Sequence, residues 1–138
     1  MEVNEISGAV VDASMKVHTA LGPGLLESAY EKCLVHELRK RGLRVDVQVV
    51  VPVCYDGEVL DTGYRADLVV EGMVLVELKS IETILPVHKA QLLSYLRLSN
   101  KRVGLLINFN VAHLREGITR IINNSLKSFV ASASSALK

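Results

Sequence analysis

Hydrophobic side chains recur every three or four residues through the first part of the chain, which is the spacing of one face of an α-helix. This pattern predicts a first helix over residues 3–20 and a second from about 25 to 41. The segment Gly22-Pro23-Gly24 separates the two helices, since glycine and proline interrupt helical structure. Gly42 follows a basic last turn and ends the second helix.

The pattern then changes to runs rich in valine, which favour β-strands. Residues 44–55 are predicted to form a first strand, and Asp56-Gly57 is a typical hairpin turn. A second strand is expected within residues 58–70. Glu71-Gly72 marks the next reversal, and a third strand is predicted over residues 73–79.

The last part of the chain contains one more helix and a buried strand. Pro86 suits the first turn of a helix that runs to about residue 98. Residues 103–109 form a continuous apolar run, as expected of a buried strand. Residues 117–126 fit a helix or a short strand. A single domain is expected over residues 1–126, and the small, polar segment 127–138 is predicted to be a frayed tail.

The order of elements predicts the α/β class. Short hairpins make the first three strands antiparallel, and the helical crossover lets the last strand run parallel to the third. The expected fold is therefore a mixed sheet flanked by helices.

Composition narrows the protein class. About 49% of the residues are hydrophobic, enough for a substantial core, and no run of 18 apolar residues suggests a membrane span. The acidic N-terminus does not resemble a signal peptide. Cys33 and Cys54 are too few for a disulfide framework or a structural zinc site, so we interpret both as reduced and the protein as cytoplasmic. The net charge of +1 gives no case for tight non-specific binding to nucleic acid.

Charged residues interrupt the most apolar strands. Asp67 is followed by Glu77-Leu78-Lys79, and charged groups among apolar strands are usually paired or hold a metal. Strand side chains alternate, so Glu77 and Lys79 share one face. A two-residue turn at Glu71-Gly72 would put Asp67 on the opposite face. A three-residue connection or a bulge would pair Asp67 with Glu77, so we predict one of these.

In that register, Asp67 and Glu77 are hard oxygen ligands for Mg²⁺ or Mn²⁺, and the Leu78 backbone carbonyl is a further candidate ligand. Lys79 would orient or deprotonate a water molecule, or neutralise charge that develops on a phosphate. The alternative is a buried ion pair with no chemistry.

Two further groups of polar residues have functional and structural interpretations. Glu27, in the first turn of the second helix, is either a site carboxylate or a charge favoured by the helix N-terminus. His88, Gln91 and Tyr95 form one stripe of the third helix. That stripe either positions substrate or is simply solvated.

Several motifs, taken in order along residues 6–123, resemble the GxxExxY proteins. They are Gly24-Leu25-Leu26-Glu27-Ser28-Ala29-Tyr30, Gly63-Tyr64-Arg65-Ala66-Asp67, Glu77-Leu78-Lys79, the segment 88–96 around Gln91 and Tyr95, and the strand 104–109. That family is placed in the PD-(D/E)XK nuclease superfamily. Ala66 stands where the superfamily's name has proline.

The resemblance implies a core of helix, three strands, helix and strand, with Mg²⁺-dependent hydrolysis of phosphodiester bonds. By the same resemblance, Glu27 supplements the metal site, and Asp67, Glu77 and Lys79 correspond to the superfamily's acids and lysine. Gln91 and Tyr95 correspond to a QxxxY element.

We therefore expect a Mg²⁺- or Mn²⁺-dependent nuclease that acts on DNA or RNA through metal-activated water. The alternatives are a non-catalytic adaptor that binds nucleic acid or protein, and a structural homodimer. The scarcity of aromatic residues (two Phe, four Tyr and no Trp) leaves little surface for stacking on bases, so a second copy or a protein partner is a further expectation.

Overall fold

A five-stranded mixed sheet forms the centre of the protein, as seen in a computed structural model that describes residues 1–126. Numbered in chain order, the helices are α1 (Val3–Leu21), α2 (Glu27–Lys40) and α3 (Pro86–Ser99), and the strands are β1 (Val45–Val50), β2 (Val53–Tyr55), β3 (Glu58–Leu60), β4 (Arg65–Val70), β5 (Val74–Lys79), β6 (Val103–Asn108) and β7 (Ile118–Ile122). The order across the large sheet is β1-β4-β5-β6-β7, and β2 and β3 form a separate hairpin. The expected α/β class is confirmed.

Strand directions in the sheet follow from the connections. β4 is antiparallel to both β1 and β5, which are its neighbours, and β6 is parallel to β5 because α3 crosses between them. β7 then pairs with β6 in the antiparallel direction. β6 is buried along its whole length, as its apolar sequence predicts for a central strand.

Two hydrophobic cores lie on opposite faces of the sheet. α1 and α2 pack on one face, against alternate residues of the central strands such as Val76 and Leu105. α3 packs on the other face, against the intervening residues Leu75 and Leu106. Because strand side chains alternate, the same strands contribute side chains to both hydrophobic cores.

Three strands were predicted between residues 44 and 79, and the structure has five there. Residues 44–55 divide into β1 and β2, because Pro52 has no N–H to give to a ladder. The segment 58–70 divides into β3 and β4 at the turn around Gly63, whose φ is +86°. The hairpin at Asp56-Gly57 is confirmed, with positive φ at both turn residues.

The connection between β4 and β5 has three residues, as the site hypothesis required. Val70 pairs with Val74, which leaves Glu71, Gly72 and Met73 in the turn. Glu71 and Gly72 both have left-handed φ, at +53° and +65°. Continued by one step, this register places Asp67 opposite Glu77 on the neighbouring strand.

The remaining expectations concern the end of the chain. The ambiguous segment 117–126 contains a strand, β7, which follows a 3₁₀ helix at Leu114–Gly117. The tail predicted at 127–138 lies outside the described residues. Within residues 1–126, no helix combines the length and apolar character needed to cross a membrane.

Candidate active site

The two central acids meet where β4 and β5 separate. Their ladder ends at Leu68 and Val76, and one further step in the same register places Asp67 opposite Glu77. Here side chains replace backbone acceptors: the Asp67 N–H donates to Glu77 Oε1 at 3.0 Å, and the Leu78 N–H donates to Asp67 Oδ2 at 2.7 Å. The two carboxylates thus connect β4 and β5 by hydrogen bonds across the gap that lies beyond the end of the backbone ladder.

Gln48 holds Asp67 from the other side. It lies in β1, between the residues that pair with Leu68 and Ala66, and its φ of +52° is unusual for a residue with a side chain. Its Nε2 donates to Asp67 Oδ1 at 3.2 Å and to Glu31 Oε1 at 2.8 Å. One amide group therefore bridges two carboxylates. Backbone strain of this kind is concentrated at functional sites.

Glu27 reaches the end of β5 from the first turn of α2. Its Oε1 accepts a hydrogen bond from the Ser80 N–H at 3.4 Å, and Ser80 Oγ donates to the Leu25 carbonyl at 2.5 Å. Glu31 lies one helical turn further on, so both glutamates are on the same face of α2.

Tyr30 anchors the loop that precedes Glu27 and α2. Its ring stacks on Phe109 with centroids 4.4 Å apart, and its hydroxyl donates to the Gly22 carbonyl at 2.6 Å while accepting from the Leu25 N–H at 3.1 Å. The Gly24–Tyr30 motif is thus one structural unit, in which a turn, a carboxylate and an aromatic anchor have fixed spacing.

An open cleft of about 500 Å³ lies between α2 and the sheet. The lining residues are Leu25, Leu26, Glu27, Ser28, Glu31, Gln48, Asp67, Leu78 and Ser80. Glu77 and Lys79 are not among them. Glu77 is 6% exposed and Lys79 is half-buried, and the alternation of side chains along β5 places both on the face of the sheet that α3 covers.

Burial raises the pKa of Glu77 to about 8, and the negative charge of Asp67 adds to the shift. The N–H of Asp67 and the ammonium of Lys79 act in the opposite direction without cancelling the increase. The charge of Glu27 raises this pKa further. A cation placed among these carboxylates would relieve the electrostatic cost of ionising Glu77.

The donor set fits a hard cation. Each carboxylate has about four acceptor positions, and hydrogen bonds occupy two on Asp67 and one on Glu77. The Leu78 carbonyl faces the same gap as its N–H, because both groups of a strand residue point to one side. Within residues 1–126, no three acidic, histidine or cysteine side chains form a ready metal cluster. Mg²⁺ does not need one, since it commonly binds one or two carboxylates and keeps several waters.

The three residues of the predicted polar stripe on α3 lie in three different environments. Tyr95 is 5% exposed, with its ring centroid 5.7 Å from that of Tyr64, and burial followed by the charge of Glu77 raises its pKa. His88 is half-buried and uses Nδ1 to accept the Leu85 N–H at 2.9 Å, which caps the helix. Gln91 is exposed.

Gln48, Glu31, Ser80 and Asn108 did not stand out in the sequence. Asn108 ends β6 and orders the segment after β5, since its Oδ1 accepts the Ile81 N–H at 3.1 Å and its Nδ2 donates to the Ile81 carbonyl at 2.9 Å. Two features of the sequence could have drawn attention to Gln48 and Glu31. Gln48 is polar within a valine run, and Glu31 follows Glu27 by four residues, which places both on one face of a helix.

Comparison with known families identifies a match for most of the chain. A family model described as the PD-(D/E)XK nuclease superfamily matches residues 4–121. No curated protein and no solved structure matches the chain. The matched region begins in α1 and ends in β7, so it includes all the residues of the candidate site.

Proposed function

The chain belongs to the PD-(D/E)XK nuclease superfamily, and from this premise we propose that it is a metal-dependent nuclease that hydrolyses phosphodiester bonds in DNA or RNA. The observation that carries the proposal is the Asp67–Glu77 pair at the point where β4 and β5 part. Two carboxylates are held side by side there, and one of them has a pKa of about 8.

Asp67, Glu77 and the Leu78 carbonyl would hold Mg²⁺ or Mn²⁺, with Glu27 in reach through water. The bound cation would polarise the phosphate and lower the pKa of a coordinated water molecule. The protein's own contribution is to orient Asp67 through Gln48 and the Leu78 N–H. It also keeps Glu77 out of bulk water.

Lys79 is proposed as the residue that assists the water molecule and offsets negative charge on the phosphate. It follows Glu77 by two residues on the same strand and therefore shares its face. Its charge already acts on Glu77, since it lowers that carboxyl's pKa. The ammonium forms no ion pair or hydrogen bond within residues 1–126, which leaves it available to a ligand.

Three narrower assignments belong to the same proposal. We place the chain among the GxxExxY proteins because Glu27 and Tyr30 act together at the site. Gln91, Tyr95 and His88 are proposed to position substrate, although His88 also caps α3. We propose a cytoplasmic location, in keeping with the free thiols of Cys33 and Cys54.

The proposal is tested by nuclease assays on purified protein with Mg²⁺, with Mn²⁺ and with EDTA. We expect metal-dependent nicking or degradation of DNA or RNA, and a loss of at least about a hundredfold for Lys79→Ala. Lys89→Ala is the matched control, because Lys89 is an exposed lysine of α3, and it should retain activity. Equal cleavage by the wild type and Lys79→Ala would identify a contaminant and contradict the proposal.

A non-catalytic adaptor is the second candidate, because Asp67 and Glu77 already have structural hydrogen bonds to the backbone of β4 and β5. Calorimetric titration separates the two functions. A nuclease should bind Mn²⁺ in a way that Asp67→Asn weakens, whereas an adaptor should show no binding that depends on Asp67.

A further inference from the structure

A second groove adjoins the cleft along α2, and we propose that it binds the sugar–phosphate backbone of the substrate strand beyond the scissile bond. The inference rests on the proposed nuclease function and adds where its substrate lies. The groove has a volume of about 550 Å³. Its walls are Lys32, Val35, His36, Arg39, Lys40 and Val47, and Glu31 is common to the groove and the cleft.

The basic residues of this groove lack the ion pairs that join α1 to α2, although Lys32 and His36 also border the side of α2 that faces α1. Towards α1, charges are neutralised: Lys16 pairs with Glu37 at 2.8 Å, and Arg41 pairs with Asp12 at 2.6 Å. In the groove, by contrast, Lys32 and Lys40 form no ion pair with any of residues 1–126. Positive charge therefore remains available on this side of the helix.

Arg39 and His36 extend the same surface. Arg39 donates from Nη2 to the Val45 carbonyl at 2.9 Å, a neutral partner that leaves its charge uncompensated. His36 is exposed and lies between the two lysines along the helix. Arginine and lysine side chains are the main phosphate-binding groups in proteins that contact nucleic acid.

The spacing fits a nucleic-acid backbone. From Lys32 to Lys40 the helix advances about 12 Å at about 1.5 Å per residue. One strand of a duplex presents a phosphate about every 3.4 Å along its axis, so the stripe would span three or four phosphates. Val35 and Val47 supply apolar surface between the charges, against which sugars can pack.

The distribution of charge over the rest of the protein explains why a basic groove would matter for binding nucleic acid. The cleft is lined by Glu27, Glu31 and Asp67, and such a surface repels phosphate except where a cation intervenes. The net charge of +1 provides no general attraction for a polyanion. A local basic surface continuous with the cleft can hold the strand while the acids hold the metal.

The test compares two double variants with the same loss of charge. Lys32→Gln/Lys40→Gln removes two cations from the groove. The control, Arg97→Gln/Arg102→Gln, removes two exposed cations, one in the last turn of α3 and one directly before β6. Binding of a fluorescent oligonucleotide, single-stranded or duplex, is measured by anisotropy in EDTA over a range of salt concentrations.

We expect the groove variant to bind at least about five times more weakly, with the salt dependence reduced by about one phosphate contact for each lysine removed. The control should bind within about twofold of the wild type. Equal binding by the wild type and the groove variant, or no binding by the wild type, would overturn the proposal.

A small substrate distinguishes this failure from failure of the proposed function. Bis(4-nitrophenyl) phosphate has a single phosphate and does not extend along α2, so the groove variant should hydrolyse it with Mn²⁺ as fast as the wild type. If the wild type hydrolyses it and the groove variant still binds oligonucleotide normally, the groove proposal alone is wrong. If the wild type does not hydrolyse this ester or any nucleic acid, the proposed nuclease function is wrong.

Discussion

Glu77 shows how one residue connects stability with chemistry. Its pKa of about 8 means that, without a bound cation, most of the folded molecules carry a protonated Glu77 at neutral pH. Because a metal ligand must be ionised, cation binding at Asp67 and Glu77 should release a proton and become tighter as the pH rises. Under the proposed function, Glu77 is therefore a point at which pH, metal binding and folding are coupled.

The first prediction concerns stability in EDTA. The pKa of Glu77 is higher in the folded state than its ordinary value of 4.5. The protonated form therefore contributes stability that is complete below about pH 4.5 and is lost as the pH rises to about 8. The wild type should lose up to about 1.4 kcal/mol of unfolding free energy per pH unit in this window relative to Glu77→Gln.

Urea denaturation at several pH values between 5 and 8 measures the difference. Glutamine keeps an oxygen that can accept the Asp67 N–H, so the variant tests the charge alone. Glu82→Gln, at an exposed position, should follow the wild-type pH dependence. Parallel curves for the wild type and Glu77→Gln would refute the prediction.

Sequence reasoning singled out Asp67, Glu77 and Lys79 because charge among apolar strand residues is conspicuous. It missed Gln48 because the role of this residue depends on a left-handed φ and on Asp67 being its neighbour across strands, and neither is written in local sequence. Glu31 was overlooked for a related reason. An acidic residue on a helix is ordinary until its partner, the Gln48 amide, is known.

At the scale of elements, the β4–β5 turn decides whether a site exists. A change of one residue in this turn would move Asp67 to the other face of the sheet. Glu71 and Gly72 make the three-residue connection possible by adopting positive φ. The turn thus determines which residue lies opposite Asp67, four positions before the turn begins.

The second prediction compares two glycines. Gly72→Ala should destabilise the fold by about 1–2 kcal/mol, because alanine disfavours the left-handed region. A Cβ there would meet only Arg44 Nη2 at 3.8 Å, so the cost would come from the backbone. Gly8→Ala, in the interior of α1 with nothing within 4 Å, should instead stabilise by about 0.5–1 kcal/mol.

Chemical denaturation of both variants at one pH provides the comparison. Effects of the same sign would show that conformational preference does not distinguish these positions. Gly72→Asn should cost less than Gly72→Ala, since asparagine tolerates the left-handed region better.

For the whole molecule, the sequence predicted the class, the antiparallel and parallel pairings and the helical crossover. It did not predict that β2 and β3 form a hairpin outside the main sheet. The local sequence of a short strand does not indicate which sheet the strand joins. The strand character of residues 118–122 was also ambiguous. This segment is defined by pairing with β6, a long-range contact that local pattern does not encode.

The third prediction concerns how closely α3 packs on the sheet. A Cβ at Gly104 would lie 3.0 Å from Leu92 Cδ1 and 3.1 Å from its Cγ, so Gly104→Ala should cost about 1–3 kcal/mol. Leu92→Val shortens the opposing side chain. In the double variant the two costs should be less than additive by at least about 0.5 kcal/mol. Thermal unfolding of the four proteins in this cycle measures the coupling, and simple additivity would contradict it.

The exchange of hydrogen bonds between the two acids and the backbone has a consequence for how such a chain diverges. Asp67 and Glu77 each accept a backbone N–H that would otherwise lack a partner at the parting strands, so folding alone would preserve both acids by purifying selection. A relative without nuclease activity would therefore keep both acids. The Lys79 ammonium has no such structural contact within residues 1–126, and it would be free to drift. Under the proposed function, the lysine rather than the acids would therefore mark those sequence relatives that are active nucleases.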